Sequence, residues 1–584
     1  MHVAKVVRKY KDREYVSFLL RHSFRDGGKV RHETLANLSA LPPAAIDALR
    51  AVLAGEALVG AGEGFEVERS LPHGHVAAVA AMAHELGLAK LLGPACAERD
   101  LALALVVARV CRPASKLATT RWWADTTLGA DLGVADASTD DVYAAMDWLV
   151  GRQERIEAAL AKRHLAQGSL VLYDLSSSWM EGNCCPLAAR GYSRDRKGGK
   201  AQIEYGLMTD AEGRPVSVEV FAGNTADPTA FISAAAKVRE RFGLAEVVMV
   251  GDRGMITSAR IDALRPLHGV SWITSLRAPA VRALAEAGAL QLSLFDEANL
   301  AEITHPDFPG ERLVACRNPA LAAERTRKRD ELLAATDADL AKIQAAVTRP
   351  QRPLRGKDQI ALRAGKIINR HKMAKHFDLT ITETTFDYTR NTTQIAAEAA
   401  LDGIYVVRTS VPAERLNPGE VVEAYKGLKV VEADFRSLKA IDLDLRPIHH
   451  YLEDRVRAHV LICMLAAYLV WHLRRAWAPL CFTDETPPTR SDPVAPAKSS
   501  LAAKAKATRK RTTDNQHRAH NLATLLDHLA TLTRNTIVFA SGQRVDKLAV
   551  PTNLQRRAFE LIGAPIPTVT AGRATKKRPT HSPT

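Results

Sequence analysis

The chain has 584 residues, of which 47% are hydrophobic and 25% charged, and its formal net charge is +15. This composition excludes a wholly disordered chain, and the length allows roughly three to five domains. Its seven cysteines form no CxxC pair and show no regular spacing, which argues against a disulfide scaffold or a zinc module and fits a reducing cytoplasm.

The chain carries no pattern that predicts secretion or membrane insertion. Its N-terminus, MHVAKVVRKYKDREY, lacks the apolar stretch of a secretory signal. Its longest apolar run, Val460 to Trp471, has 12 residues, whereas about 20 are needed to span a bilayer. We therefore expect a soluble cytoplasmic protein with no membrane partner.

The excess positive charge lies at the two ends of the chain. Residues 1–50 contain 10 basic and 5 acidic residues, and residues 480–584 contain 17 and 7, whereas residues 51–479 contain 53 of each. Basic ends on a neutral body indicate segments that bind a polyanion, most simply nucleic acid. The alternative is a contribution to solubility or a compositional bias toward arginine.

The first part of the chain divides into two regions. Residues 1–70 form a basic N-terminal region with β-like segments and a helix over 43–58. Residues 71–165 are alanine-rich and predict helices throughout, and we expect this region to bind DNA. One helix start is predicted at Ser138 to Asp141, where hydroxyl and carboxylate groups can cap free backbone amides.

The pattern then changes to that of an α/β domain. Over residues 166–280, short apolar segments precede and follow a helical segment, and two of them predict a hairpin across Thr209 to Arg214. The predicted strands cover 169–173, 202–208, 215–221, 246–250 and 270–276, and the helix covers 228–242. This order predicts a mixed sheet with helices packed against it.

Residues 281–400 interrupt the α/β pattern, which resumes over residues 401–479. The interruption contains a long charged helix and one strand, predicted over 322–347 and 379–388. The resumed part contains a buried strand and two helices, predicted over 404–408, 418–439 and 455–477. Residues 480–584 are expected to form a basic linker and C-terminal tail, flexible over 483–513, with one short helix over 521–532.

Two aspartates each follow a predicted strand. Asp174 ends the strand over 169–173, and Asp252 ends the strand over 246–250. Functional groups gather at the carboxyl ends of strands in α/β sheets, and converging carboxylates supply the hard oxygen ligands that Mg²⁺ prefers. The alternative is that each aspartate only caps the element that follows it.

A third carboxylate lies on the helix after the last strand. Tyr425, Glu432 and Lys439 are separated by seven residues each, so they share one helix face with only ~20° of drift per step. Glu432 is the third candidate metal ligand, and the candidates to contact phosphates of a bound strand are Tyr425, Arg436 and Lys439. Asp434 lies about 200° around the helix from Glu432, so both cannot serve one metal site.

Other residues are open to a functional or a structural interpretation. The rival carboxylates are Asp210, Asp227, Glu423, Asp434 and Glu453. Cys184 and Cys185 have no histidine near them in the sequence, so metal binding is not expected there. For the pairs Trp122–Trp123 and His449–His450, packing is favoured over contact with DNA.

Seven short sequence blocks occur in a fixed order between residues 173 and 450. They are YDLSSSWMEG (173–182), GYSRDR (191–196), QIEYGL (202–207), VFAGNTAD (220–227), VGDRGM (250–255), FRSLK (435–439) and RPIHH (446–450). Together they resemble the insertion-sequence DDE transposases, and most closely the IS-four-like group, over residues 100–480. Tyr425, Glu432 and Lys439 match the helix signature of that group, whereas Leu428 stands where the group usually has arginine.

The resemblance implies an α/β fold with an RNase H-like catalytic core that an insertion domain interrupts before the glutamate. It implies that Asp174, Asp252 and Glu432 hold two Mg²⁺ ions, for which Mn²⁺ can substitute. The implied reaction is cut-and-paste transposition, in which DNA is cleaved at the ends of the element and the freed 3′-hydroxyl attacks target DNA. Whether a hairpin intermediate is used stays open.

The resemblance also implies the partners of this reaction. They are double-stranded DNA, as terminal inverted repeats and as target, and a second copy of the chain in a homodimeric synaptic complex. The expected DNA-contacting residues are Tyr425, Arg436, Lys439 and Arg253. The expected location is the bacterial cytoplasm, in association with the nucleoid.

Two other functions stay open on the sequence. The first is a catalytically inactive or domesticated DNA-binding relative, which Leu428 favours and the intact acidic triad opposes. The second is a metal-dependent nuclease without strand transfer, for which the basic ends are harder to explain. Metal-dependent nicking of a plasmid that bears the element ends separates the transposase from the inactive relative.

Overall fold

The structure is a computed structural model of the chain and describes residues 1–11, 13–56, 64–182 and 184–566, without the side chains of residues 227 and 228. The described residues form two compact units. The first contains residues 1–71 and 533–550, and the second contains residues 72–532 and 551–566. The end of the expected basic tail lies outside the described residues.

The described residues contain sixteen strands and nineteen α-helices. The strands are β1 (His2–Tyr10), β2 (Arg13–Asp26), β3 (Lys29–Asn37), β4 (Phe65–Pro72), β5 (Leu170–Trp179), β6 (Gln202–Thr209), β7 (Pro215–Ala222), β8 (Val247–Val250), β9 (Val270–Ser275), β10 (Leu300–Ile303), β11 (Arg312–Arg317), β12 (Phe377–Ile381), β13 (Phe386–Arg390), β14 (Ile404–Thr409), β15 (Thr533–Phe539) and β16 (Arg544–Leu548). The helices are α1 (Pro43–Leu53), α2 (Gly74–Glu85), α3 (Leu88–Leu92), α4 (Ala97–Cys111), α5 (Lys116–Ala124), α6 (Leu128–Leu132), α7 (Thr139–Val150), α8 (Gln153–His164), α9 (Asp227–Glu240), α10 (Ser258–Leu264), α11 (Ala278–Glu286), α12 (Pro319–Thr348), α13 (Lys357–His371), α14 (Thr392–Ala399), α15 (Pro418–Arg436), α16 (Glu453–Ala476), α17 (Leu501–Arg509), α18 (Leu522–Ala530) and α19 (Asn553–Leu561).

The first unit contains two three-stranded sheets. β1, β2 and β3 form one antiparallel sheet, in which Tyr10 pairs with Arg13 at the first turn. β4 lies beside β15, which pairs antiparallel with β16 in the other sheet. On α1, the Arg50 guanidinium lies over the Phe18 ring of β2 at 5.3 Å from its centroid. The β-like segments and the helix predicted near the N-terminus are confirmed.

Seven helices, α2 to α8, fill residues 74–164 of the second unit, as the sequence predicts. Helix α7 begins at the predicted cap. The Ser138 hydroxyl accepts a hydrogen bond from the backbone N–H of Asp141, and the Asp141 carboxylate accepts one from the backbone N–H of Ser138. This capping box satisfies amides that the helix itself leaves unpaired.

Helix α16 is long and apolar enough to cross a membrane, with a mean hydropathy of 1.6 over its apolar window. The uninterrupted apolar run of 12 residues in the sequence is therefore shorter than the apolar part of this helix. However, 83% of that window is buried inside the protein, where α16 packs against α4, α7 and β7. This is the one helix of such composition in the described residues, and its burial is that of a core helix.

The second unit centres on an eight-stranded mixed sheet with the strand order β10-β11-β14-β9-β8-β5-β6-β7. β5, β6 and β7 are antiparallel, and β8 and β9 then run parallel to β5. β14, β11 and β10 continue the sheet in antiparallel order. In the hairpin turn between β6 and β7, the Arg214 guanidinium donates to the Asp210 carboxylate at 2.6 Å. The mixed sheet and the hairpin predicted for residues 166–280 are confirmed.

Strand β5 differs from the prediction in a way that concerns the candidate site. It runs from Leu170 to Trp179, so Asp174 lies in the middle of the strand and does not end it. The pairing of β5 with β8 stops at Leu172 and Val250, whereas its pairing with β6 continues to Trp179. Asp174 therefore lies where β8 leaves the sheet and one side of β5 opens.

The insertion over residues 281–400 both extends the sheet and builds a core of its own. β10 and β11 join the sheet edge through β14, which pairs with β9 across the interruption. Helices α12 and α13 pack on the hairpin β12–β13 around buried side chains that include Leu340, Ile360 and Phe386. The single strand predicted over 379–388 is part of this hairpin, because Thr382 to Thr385 form a hydrogen-bonded turn.

Residues 480–566 are folded, in contrast to the flexible linker expected over 483–513. Helix α17 lies within the expected linker. The Lys506 ammonium, on this helix, donates to three backbone carbonyls between residues 478 and 483 and pairs with Glu485 at 2.7 Å. The composition is typical of a linker, but a buried cation with satisfied partners orders the segment.

Candidate active site

Two cavities of the second unit meet at the two predicted aspartates. The first has a volume of about 580 Å³ and the second about 440 Å³, and Asp174 and Asp252 line both. Tyr425 and Glu432 also line the first. The structure therefore brings four of the residues singled out in the sequence to one place.

The sheet positions the two aspartates. Leu172 of β5 pairs in register with Val250 of β8, and each aspartate follows two residues later. Neighbouring parallel strands run in the same direction, so both chains reach this edge of the sheet together. Asp252 is exposed after the end of β8, whereas Asp174 is only partly exposed within β5.

Burial raises the pKa of Asp174 to about 7. The negative charges of Asp252 and Glu432 add to this rise. A hydrogen bond from the backbone N–H of Leu175, at 2.8 Å, and the positive charge of Arg194 oppose it. Carboxylates that raise one another's pKa favour a proton or a cation between them. The site is therefore electrostatically prepared for a positive ion.

Helix α15 carries Tyr425 and Glu432 to the first cavity. The helix begins at Asn417, which forms a capping box with Glu420 and so fixes the register of the residues that follow. Tyr425 and Glu432 both lie within the regular helix, and the predicted shared face holds for this pair. Glu432 is exposed, and burial raises the pKa of the Tyr425 hydroxyl.

Lys439, the third residue of the predicted face, lines neither of these cavities. Regular helix ends at Arg436, and residues Ser437–Ile441 form a π-helical turn. A π-turn takes more residues per turn than an α-helix, so seven steps from Glu432 no longer return to the same face. Lys439 is buried, and its ammonium donates to the Asp195 carboxylate at 2.9 Å.

The other two predicted DNA-contacting residues are exposed and line neither cavity. Arg253 follows Asp252, whose carboxylate accepts a hydrogen bond from the Arg253 backbone N–H at 2.7 Å. The positive charge of Arg253 opposes the rise in the pKa of Tyr425, so this arginine lies close to the first cavity. Arg436 lies one turn beyond Glu432, at the end of α15.

Arg490, which lines the first cavity, was missed in the sequence. It belongs to the segment 490–497, which is held against α15 because the Lys426 ammonium donates to the carbonyls of Pro493 and Val494 at 2.6 and 2.7 Å. Leu428 and Lys429 line the same cavity. Arg490 had no recognisable sequence signal, because it lies in a segment rich in proline and alanine.

Arg194 and Glu204, which line the second cavity, were also not singled out. The Arg194 guanidinium and the Glu204 carboxylate form an ion pair at 3.2 Å. Both residues lie in the sequence blocks GYSRDR and QIEYGL, so a signal for them was present. The blocks indicated a region, whereas the structure identifies the side chains that reach the cavity.

The rival carboxylates whose side chains are described line neither of the two cavities. Asp210 and Glu453 each pair with an arginine four residues further along the chain. Asp434 lines a separate cavity beside α16, and burial raises its pKa to about 7. Glu423 is exposed on α15. The side chain of Asp227 lies outside the described residues.

Among the residues for which packing was favoured, the two tryptophans are buried and His450 is partly buried, whereas His449 is exposed. Trp122 and Trp123 are in the core. His450 packs edge-on against Tyr143, with 6.1 Å between ring centroids. His449 and His450 line a third cavity, which is described below. Cys184 is exposed and Cys185 buried, and both are free thiols.

The donor set fits a hard divalent cation in kind, because Asp174, Asp252 and Glu432 offer only carboxylate oxygens. The raised pKa of Asp174 also favours cation binding, since a cation relieves the repulsion from Asp252 and Glu432 that contributes to the rise. Within the described part of the chain, no three His, Cys, Asp or Glu side chains are close enough to hold a metal ion. The carboxylates thus share a cavity without forming a closed ligand cluster.

Comparisons with known proteins identify the family. The family described as "Transposase DDE domain" matches residues 176–469, about half of the chain, and the family described as "IS1634 family transposase, N-terminal domain" matches residues 3–63. A cryo-EM structure of a piggyBac transposase synaptic complex with hairpin DNA is similar at 8% identity and a TM-score of 0.33, covering 68% of this chain and 72% of that chain. No curated protein matches the chain.

The chain belongs to the DDE insertion-sequence transposases. It is therefore an enzyme of DNA transposition, with nuclease and transesterase activity on DNA, in a family that uses divalent metal ions. The predicted family and function are confirmed, whereas the matches do not identify the IS-four-like group. Asp252 and Glu432 lie within the matched residues, and Asp174 lies two residues before them.

Proposed function

We propose that Asp174, Asp252 and Glu432 are the catalytic carboxylates and together hold two Mg²⁺ ions, for which Mn²⁺ can substitute. The observation that carries this proposal is that both aspartates line two adjoining cavities and that Glu432 lines the first with them. When bound, such ions activate the attacking oxygen and stabilise the leaving oxygen of a phosphodiester transfer.

The residues around the carboxylates have separate tasks in this proposal. Asp174 releases its proton when a cation binds, because its raised pKa reflects burial and the neighbouring negative charges. Lys429 and Arg490 bind phosphate oxygens of the DNA strand in the first cavity. The Tyr425 hydroxyl has a raised pKa and therefore stays protonated, so it can donate a hydrogen bond to the same strand.

The remaining predicted DNA contacts divide by exposure. Arg253 is exposed near the first cavity and Arg436 is exposed one turn beyond Glu432, and both can contact phosphates of the strand outside the cavity. Lys439 is buried and paired with Asp195, and we assign it a positioning task in holding the block at 191–196 against the end of α15. A phosphate contact by Lys439 would require this ion pair to open.

The order of the central strands supports an RNase H-like core. An antiparallel meander, β5 to β7, is followed by the parallel strands β8 and β9, in the spatial order β7-β6-β5-β8-β9. In this proposal the core comprises residues 166–280 and 401–479, and residues 281–400 are the insertion domain. Residues 1–70 and 71–165 bind DNA, and residues 480–584 add a basic C-terminal region.

The overall reaction in this proposal is cut-and-paste transposition by a member of the IS-four-like group. The enzyme cleaves DNA at the terminal inverted repeats of its element and joins the freed 3′-hydroxyl to target DNA. Two copies of the chain form the synaptic complex as a homodimer, in association with the bacterial nucleoid. The basic ends of the chain support extensive contact with DNA backbones.

Leu428 is the one observation that favours an inactive DNA-binding relative, because it lines the first cavity where arginine is expected from the resemblance. Cleavage of a plasmid that bears the element ends distinguishes the two functions. The wild-type protein should cleave it only with Mg²⁺ or Mn²⁺, and Asp174→Asn should bind the same DNA without cleaving it. DNA binding without any metal-dependent cleavage by the wild type would support the inactive relative.

A further inference from the structure

A third cavity of the second unit, of about 460 Å³, lies outside the candidate active site. It is lined by Arg109 at the end of α4, Lys116 at the start of α5 and His459 on α16, and by the segment from Asp444 to His450. Arg109 and Lys116 are only 6% and 5% exposed. Two basic side chains are therefore buried at one cavity.

These two cations differ from the other buried cations of the protein. Seven lysine or arginine residues are buried in the described part of the chain. Five of them pair with a carboxylate: Lys237 with Glu157, Arg329 with Asp402, Arg408 with Glu311, Lys439 with Asp195 and Lys506 with Glu485. Arg109 and Lys116 form no ion pair with any described carboxylate.

The partners of Arg109 and Lys116 are neutral. The Arg109 guanidinium donates to the carbonyls of Ala114 and Leu443 at 2.9 and 3.4 Å. The Lys116 ammonium donates to Nδ1 of His459 at 3.0 Å, and the Nε2–H of that ring donates to the carbonyl of Leu445 at 3.0 Å. These bonds use two of the five N–H donors of the guanidinium and one of the three of the ammonium.

A buried cation without a counter-charge is costly, since the charge loses its hydration and gains no Coulombic partner. Lys116 shows this cost. Its burial and the nearby positive charge of Arg109 lower its pKa to about 7. Arg109 cannot reduce this cost by losing its proton, because arginine stays charged at any physiological pH. An anion in the cavity would relieve both residues at once.

We propose that this cavity is a binding site for a phosphate group, held by Arg109 and Lys116. Guanidinium and ammonium donors that line one cavity complement the negative charge and the acceptor oxygens of a phosphate group. The Ser115 hydroxyl lies in the same lining and adds a polar group of the kind that phosphate sites use. The group can be a backbone phosphate of bound DNA or free inorganic phosphate, and the chemistry of recognition is the same.

The part of phosphate binding that depends on Lys116 should be larger at pH 6 than at pH 9, because Lys116 is charged only at the lower pH. Tyr143, Arg446 and the exposed His449 line the same cavity. Burial lowers the pKa of His450 and His459 and raises that of the Cys463 thiol, so all three stay neutral. Arg109 stays positive because arginine is charged at any physiological pH, and Asp444 is exposed at the cavity.

The test uses the full-length protein, its thermal midpoint and inorganic phosphate at constant ionic strength, with sodium chloride as the reference salt. Phosphate should raise the midpoint at pH 6 and have less effect at pH 9. Lys116→Met should lose the phosphate response. In chloride it should be as stable as the wild type or more stable, because an uncompensated charge has been removed.

Lys237→Met is the matched control, since it also removes a buried lysine. Lys237 pairs with Glu157 and Glu219 at 3.3 and 3.4 Å, so its removal leaves the buried Glu157 and the partly exposed Glu219 without a cation. This variant should be less stable in both salts and keep the phosphate response. Only Lys237→Met should lower the thermal midpoint in chloride, and only Lys116→Met should lose the phosphate response. This difference distinguishes a phosphate site from a general loss of packing.

Binding of short duplex DNA identifies the source of the phosphate. If a backbone phosphate occupies the cavity, Lys116→Met should lower the salt dependence of DNA binding by about one phosphate contact, and free phosphate should compete. If free phosphate is the ligand, DNA binding by this variant should be unchanged while its thermal response is lost. A wild-type midpoint that does not respond to phosphate at pH 6, together with unchanged DNA binding by Lys116→Met, would overturn the proposal.

Discussion

Asp174 within β5 and Asp252 just beyond the end of the neighbouring parallel strand β8 each follow the register pair of Leu172 and Val250 by two residues. Parallel strands lie ~4.8 Å apart, so the register brings the two carboxylates to the point where the two cavities meet. Within β5, moving the carboxylate of Asp174 by one position would turn it to the opposite side of the sheet. Strand pairing therefore fixes the place of Asp174, and its charge is the most direct probe of the site.

The first prediction is that Asp174→Asn stabilises the metal-free protein above pH 7. Below about pH 4, Asp174 is protonated in the folded and the unfolded chain. Between about pH 4 and pH 7 only the unfolded chain releases the proton, so wild-type stability falls as pH rises through this window. Asparagine cannot ionise, and the variant should be more stable above pH 7 by up to about 4 kcal/mol. Urea unfolding in chelator across this pH range measures the difference.

Asp136→Asn, which changes an exposed aspartate of the same unit, is the control for this series and should not alter the pH profile. Added Mg²⁺ or Mn²⁺ should restore wild-type stability at pH 8 and leave Asp174→Asn unaffected. Equal pH profiles of wild type and Asp174→Asn in chelator would show that Asp174 is ionised in the folded protein without a cation.

The second prediction compares two carboxylates on helix α15. Glu432→Gln keeps the size of the side chain but removes a charged oxygen from the first cavity, and cleavage should fall by at least about 100-fold. Loss of groups that only support metal ligands already costs 10–100-fold. Asp434→Asn should leave cleavage intact and stability equal or higher, because burial already raises the pKa of Asp434 to about 7. A plasmid cleavage assay and DNA binding at equal protein concentration measure both.

Measuring the stability of both variants distinguishes a loss of catalytic activity from a loss of folding. Both substitutions lie on one helix, so a general weakening of α15 would affect both variants. Cleavage by Glu432→Gln combined with inactivity of Asp434→Asn would place the active carboxylate on the other face of the helix, beside the cavity that Asp434 lines.

The sequence predicted the elements whose signals are local. The apolar segments of β5 to β9 and the turn between β6 and β7 have short-range signatures, and their positions agree with the structure within a few residues. The cap of α7 at Ser138 was readable because the hydroxyl and carboxylate stand at fixed spacing. The shared face of Tyr425 and Glu432 followed from helix periodicity alone.

Features that depend on distant contacts could not be predicted in this way. The π-turn at Ser437–Ile441 has no clear sequence signature, so the seven-residue spacing could not predict that Lys439 is buried beside Asp195. The segment 490–497 is ordered by Lys426, far away in the sequence. Arg490 reaches the first cavity only because the hydrogen bonds from Lys426 hold this segment against α15. Composition described the segment correctly as rich in proline and alanine, but it could not show which donors bind its carbonyls.

The third prediction concerns the ion pair of Lys439 and Asp195. Lys439→Met should lower stability by about 1–3 kcal/mol, because it leaves the Asp195 carboxylate, which is buried, with Arg446 as its remaining partner. DNA affinity and its salt dependence should not change. The double variant Lys439→Met/Asp195→Asn should recover part of the loss, which a double-mutant cycle measures. Normal stability of Lys439→Met with a salt dependence lower by about one contact would instead identify Lys439 as a phosphate ligand.

The fourth prediction revises the role of the C-terminal region. On the sequence alone, residues 480–584 are a basic linker and tail that bind nucleic acid, so deletion of residues 490–584 would only weaken DNA binding. In the structure this deletion removes the segment that lines the first cavity and helix α19, where the carbonyl of Ala558 accepts a hydrogen bond from the Trp477 indole at 2.9 Å. Because Trp477 is buried, the deletion should lower the thermal midpoint markedly, and this loss hides any effect of charge.

Charge can be tested separately at the end of the chain. Residues 567–584 contain four basic residues and no acidic residue, namely Arg573, Lys576, Lys577 and Arg578. Replacing all four by glutamine keeps the chain length and should lower the slope of log K against log salt by up to about 3.6, since each phosphate contact contributes about 0.9. Binding isotherms on duplex DNA at several salt concentrations measure the slope. A slope equal to that of the wild type would show that these four residues do not contact phosphates, and the electrostatic contribution to binding would then come from the basic residues elsewhere in the chain.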